Sequence, residues 1–66
     1  MKVFIVLKET SRFDIIQYVT VEGVYSTHFN ALQKVEELKQ LYWEKQDDPA
    51  NADIREIAFV ETRNVE

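Results

Sequence analysis

Gly23-Val24-Tyr25-Ser26-Thr27 is the stretch at which the apolar period of this chain changes from strand-like to helix-like. Before it the residues alternate as paired strands do. After it they recur every three or four positions, as on one amphipathic helix. Gly23 is the sole glycine and sits late in the second strand, where it suits a bulge or a bend that re-aims the chain. Ser26 or Thr27 can cap the helix by accepting a hydrogen bond from an orphan amide of its first turn. Asn30, three residues after Thr27, is a poor substitute for the Glu or Gln of a capping box.

N-terminal to this seam, residues 15–25 (IIQYVTVEGVY) read as a strand. Strict alternation puts Ile15, Gln17, Val19 and Val21 on one face and Ile16, Tyr18, Thr20 and Glu22 on the other. Residues 2–8 (KVFIVLK) form an earlier strand, and because Val3, Ile5 and Leu7 interleave with Phe4 and Val6, both of its faces are apolar. That pattern belongs to a central strand. Glu9-Thr10-Ser11-Arg12 reads as the loop of a hairpin between the two.

C-terminal to the seam, Ala31, Val35, Leu38 and Tyr42 make a helical stripe with Leu41 at its margin, while Lys34, Glu36, Glu37 and Lys39 mark the wet side. The helix is expected over residues 27–46. Asp47-Asp48-Pro49 ends it, since Pro49 pushes Asp48 towards extended backbone. Residues 54–62 form a third strand, with Ile57, Phe59 and Val60 expected to face the core and a polar tail from Arg63 expected to fray. The expectation is one ββαβ domain of the α+β class. A crossover from the second strand to the third places the first in the centre, in the order 2-1-3.

Sixty-six residues allow one domain of modest stability. With no cysteine there is neither a disulfide nor a thiolate metal site. The apolar run after Met1-Lys2 is too short for a signal peptide, and no segment has the length of a membrane span. A cytoplasmic protein is expected. Twelve acidic against eight basic residues, a net charge of -4, disfavour direct nucleic-acid binding. One glycine excludes a glycine-rich phosphate loop.

No constellation of catalytic groups emerges. His28 is the sole histidine, and Ser26 two residues before it points elsewhere at a helix start, so an exposed first-turn histidine is the expectation. Glu44, Asp47, Asp48 and Asp53 form the densest acidic cluster, without the spacing of a calcium loop. They sit near a helix C-terminus, where acids are disfavoured, so Glu44, Asp47 and Asp48 are candidate contact residues. Phe29, Leu32 and Trp43 fall on a flank beside the helical stripe. They either pack under the last strand or connecting loop, or form an apolar patch for a partner. One sheet face, assigned here to Phe4, Val6 and their neighbours, has no helix to cover it. Either long side chains such as Tyr18 and Lys8 seal it or two copies pack there, and a strand could add to either edge.

MKVFIVLKE, GVYST and ALQKVEELK, in that order, resemble a family of short uncharacterised bacterial and phage proteins. The resemblance spans residues 1–40 and the last third departs from it. It implies a ββαβ fold and a prokaryotic or phage origin, and it carries over no functional residues. The resulting expectation is a non-catalytic module that binds another protein, without metal or cofactor. The alternative is a phage-encoded inhibitor of a host defence nuclease, of the anti-CRISPR type, acting through its acidic surface.

Overall fold

A computed structural model describes residues 1–65 and has the expected order: β1 (Lys2–Arg12), β2 (Ile15–Tyr25), α1 (His28–Lys45) and β3 (Ile54–Asn64), with a single 3-10 turn at Pro49–Asn51 between α1 and β3. The three strands form one sheet in the order β2-β1-β3, and β1 runs antiparallel to both neighbours. The fold is therefore the small α+β domain read from the sequence.

Two boundaries differ. Residues 9–12, expected as a loop, continue β1 to the very tip of the hairpin, because only Phe13 and Asp14 make the turn. Both have left-handed backbones (φ 54° and 64°), the conformation that a two-residue turn of the primed type demands. A phenylalanine is a costly occupant of that region. Its amide donates to the Asp53 carbonyl at 3.3 Å, and Arg12 meets the Asp53 carboxylate at 3.7 Å, so the tip is held by the start of β3. At the other end the tail does not fray within the described residues. β3 runs to Asn64, and the Val65 amide donates to the Met1 carbonyl at 2.7 Å.

Helix α1 begins as the seam requires. Thr27 is the N-cap, in extended conformation, and its hydroxyl accepts from the Asn30 amide at 3.3 Å. Ala31, Val35 and Leu38 are buried against Val6, and Phe4, Tyr25, Ala58 and Val60 pack around that cluster. Leaving β2 at one end of the sheet, the chain must reach β3 at the other, so α1 crosses β1 and leans towards β3. Its C-terminal end is fixed there by the Tyr42 hydroxyl and the Gln46 amide, which donate to the Ile54 carbonyl at 3.3 and 3.4 Å.

The helix covers the opposite sheet face from the one expected. Phe4 and Val6 lie beneath it, and Val6 is fully buried. Ile57 and Phe59, expected in the core, point away from it and are 49% and 38% exposed, while Val60 does face the helix. Which of the two apolar faces of β1 receives the helix depends on the hand of the connection, which alternation does not encode.

Two bulges shape β2. Its register against β1 shifts between Val6 and Leu7 and again between Thr10 and Ser11. Opposite these steps Glu22 and Gln17 are the extra residues, since Val6 pairs with Gly23 and Leu7 with Val21, and Thr10 pairs with Tyr18 and Ser11 with Ile16. The expected bulge near Gly23 is thus present. The Tyr25 ring lies across Gly23, where an added Cβ would meet ring atoms at 2.7 Å.

The result is a slab. Its Cα extents are 44 × 21 × 11 Å. The radius of gyration is 13.3 Å, where a compact chain of this length would have about 11 Å.

Replacing Phe13 by Asn should stabilise the protein by up to about 1 kcal/mol, because Asn accepts the left-handed backbone and the exposed ring loses little burial. A lower melting temperature for Phe13→Asn would show that the ring packs rather than strains. Gly23→Ala should lower stability by roughly 1–3 kcal/mol, since the Tyr25 ring must leave the core edge to admit the methyl group. Urea denaturation of both variants checks the two signs.

Candidate functional site

The register of the sheet fixes what lies on the face away from α1. Along β1 these are Val3, Ile5, Leu7, Glu9 and Ser11. On β2, Val24 is opposite Ile5, Val21 opposite Leu7, Val19 opposite Glu9 and Ile16 opposite Ser11. On β3, Arg63, Glu61, Phe59, Ile57 and Arg55 complete the rows. Ile16, Val19, Val21 and Val24 are 58%, 50%, 63% and 59% exposed. The middle of this face is continuous apolar surface, with its charges in Glu9 and towards the two ends of β3.

The bulges build this surface. Unbroken alternation would place Val19 and Val21 on one face and Ile16 and Val24 on the other. One extra residue at Gln17 and another at Glu22 bring all four together. A single buried layer cannot account for such a concentration, because none of the four touches the core cluster. The sequence carries half of the signal, in the lone glycine beside Glu22. The bulge at Gln17 has no comparable marker.

The other residues singled out from the sequence lie elsewhere. Phe29, Leu32 and Trp43 are exposed, at 67%, 45% and 68%, so they do not pack under β3 or the connecting loop. They do not form one patch either. Phe29 and Leu32 border a shallow groove with Gln33 and Glu36, while Trp43 is fourteen positions, about 21 Å, further along the axis. There it meets Tyr42 edge to face, with ring centroids 6.4 Å apart. Glu44 and Asp47 are exposed. The Asp48 carboxylate accepts from the Ala50 amide at 3.0 Å and so caps the 3-10 turn. Asp53 is engaged at the hairpin tip. His28 packs its ring on Phe4 at 5.3 Å. Among the described residues no group of three or more His, Asp or Glu side chains could hold a metal ion. No described helix is long and apolar enough to cross a membrane.

A second concavity, of about 570 Å³, opens on the helix side at the hairpin end. It exists because α1 has swung over β3 by that point and leaves β2 bare. Thr10, Arg12, Tyr18, Tyr42 and Gln46 line it, and Lys45 and Glu56 pair there at 3.7 Å. The Thr10 hydroxyl is buried with no hydrogen-bond partner among the described residues. The groove offers polar and aromatic contacts.

On the same side, Lys8 reaches the bulge residue Glu22 at 3.0 Å, and Thr20 donates to the same carboxylate oxygen at 3.3 Å. The hydrogen bond from Lys8 lowers the Glu22 pKa from 4.5, and the same bond raises that of Lys8 from 10.5. The pair therefore pins one of the two bulges that assemble the bare face. No protein-family model, curated protein or solved structure matches this chain, so the site has to be judged on its own geometry.

The pH dependence follows from the signs. Glu22 contributes stability that is complete above 4.5 and lost as pH falls through its depressed value. Lys8 contributes stability that is complete below 10.5 and lost as pH rises through its raised value. Glu22→Gln should thus cost stability at neutral pH, and the difference from the wild type should close in strong acid. A gap that persists unchanged below the Glu22 titration would mean that Glu22 acts by shape alone.

Proposed function

We propose that this protein is a non-catalytic protein-binding module and that the bare sheet face is its contact surface. The observation that carries this reading is the exposed set Ile16, Val19, Val21, Val24, Ile57 and Phe59, flanking the half-buried Ile5 and Leu7 on one sheet face. Soluble monomers rarely expose a contiguous apolar surface of this extent, and a larger one marks an interaction site. Half-buried aliphatic rows also exclude water without ordering long, flexible side chains, which favours association. The setting this reading implies is the cytoplasm of a bacterium or of a phage-infected cell, as the resemblance of residues 1–40 suggests.

The acidic alternative, a blocker of a basic nucleic-acid channel, draws on Glu44 and Asp47, whose carboxylates are exposed at the end of α1. It is the weaker reading, because Asp48 and Asp53 are occupied with capping and with Arg12.

Binding assays with three variants separate the surfaces. Val19→Lys combined with Val21→Lys should abolish protein association, whereas Glu44→Gln with Asp47→Asn should retain it at both low and high salt. Phe29→Ala with Trp43→Ala should weaken it little. Association that survives the two lysines yet disappears with the acids, and that fades with salt, would replace the apolar reading by the acidic one.

A further inference from the structure

We infer that the occupant of the bare sheet face is a second copy of this chain, packed face to face so that two ββαβ units close into one sandwich. This rests on the reading of that face as a protein contact, and four observations select the chain itself as the partner.

The first is need. The buried apolar core among the described residues is Val6, Ala31, Val35 and Leu38, and no larger side chain than Val6 is fully buried. A chain below ~70 residues seldom derives enough stability from one core, and natural examples add staples, metals or oligomerisation. This chain has no cysteine. A cover required by every molecule has to be present wherever the chain is made, and a second copy meets that condition.

The second is shape. The protein exposes 4971 Å² at 7.8 kDa, about 600 Å² more than the ~4,400 Å² typical of a folded monomer of that mass. Its Cα thickness is 11 Å, one helix-on-sheet layer, and packed sheets stack about 10 Å apart.

The third is area. Three strands of eleven residues span about 36 Å by 14 Å, a face on the scale of the ~800 Å² per partner of a standard interface once side chains are counted.

The fourth is charge. This face carries Glu9, Glu61, Arg55 and Arg63, and Glu61 pairs with Arg63 at 2.9 Å while Arg55 meets Asp14 of the turn at 4.0 Å. Most of the chain's net charge of -4 therefore lies off the face. Two copies can meet there without bringing the acidic excess together.

The two outer strands, β2 and β3, offer competing edge contacts between copies, and on β2 that contact is hindered. The two bulges of β2 interrupt the regular spacing of donors and acceptors that edge pairing needs. Face-to-face packing leaves those bulges outside the interface.

Sedimentation of the full chain over a wide concentration range tests this, with isotope-filtered NMR on a mixture of labelled and unlabelled copies. The expected species has twice the chain mass. Cross-copy contacts should join the methyl groups of Ile5, Leu7 and Val21 and the ring of Phe59. Val21→Lys should weaken association at least roughly 30-fold. If that variant unfolds instead, the filtered spectra of the wild type still decide the matter. A wild type that stays monomeric overturns the inference, as does a dimer whose cross-copy contacts run backbone to backbone along β2 or β3. A monomer that still binds another protein through Val21 sinks self-association alone. A monomer without any Val21-dependent binding sinks the protein-contact reading as well.

Discussion

One helix can cover one face of a sheet, and everything distinctive about this protein descends from that limit. The chain folds around the contact of Ala31, Val35 and Leu38 with Val6. Ala31 matters here because a residue without a long side chain lets the helix axis approach the strand closely. Yet β1 is apolar on both sides, and the described residues include no second α-helix to lay over Val3, Ile5 and Leu7. A central strand with two apolar faces and a single covering element is internally inconsistent in an isolated monomer. Such inconsistencies are resolved by association or mark function.

The bulges in β2 turn this from a leftover into an organised surface. A bulge costs ladder hydrogen bonds and usually serves to bend a strand or re-aim its side chains. Here two of them act in the same sense, each transferring an aliphatic residue to the bare side. The helix side gains from the same steps. Gly23 comes opposite Val6, Tyr25 comes beside Phe4, and Glu22 becomes available to Lys8. Neither face could be rearranged alone, because a residue inserted in a strand changes the parity of everything beyond it.

That parity explains what was legible in the sequence and what was not. The element types, their order and the sheet order 2-1-3 follow from periods and caps, which are local signals carried by residues such as Thr27 and Pro49. The length of β1 was not legible, because Glu9-Thr10-Ser11-Arg12 has loop composition and is held in the ladder by both neighbouring strands. The turn was hidden for a related reason. Phe13-Asp14 lacks the usual Asn-Gly chemistry, and its left-handed backbone is sustained by Asp53, forty residues away in the chain. The bare face was half legible. An uncovered apolar face followed from counting layers, but its identity required the hand of the β2–α1–β3 connection and the positions of both bulges. The helix flank misled differently: a helical wheel collapses the axis, so Phe29 and Trp43 coincide in projection while lying at opposite ends.

The diagonal course of α1 ties the remaining features together. The seam delivers the chain to the helix beside β2, and Ile54 receives it beside β3, so the axis must cross the sheet obliquely. Obliquity brings Leu38 over β1 and β3 but strips cover from Tyr18 and Gln17 at the hairpin end. Thr10 is caught at that margin, its hydroxyl buried and without a hydrogen-bond partner among the described residues. A helix parallel to the strands would have buried that corner, but it would have ended over β2 and left Ile54 out of reach of Tyr42 and Gln46. The open groove on one side and the bare face on the other are thus two consequences of the same shortage of elements. They differ in kind. The groove is a geometric remainder lined by mixed polar groups, whereas the bare face is apolar along three strands and is assembled by two bulges. Of the two, the face is the surface whose construction points to a partner.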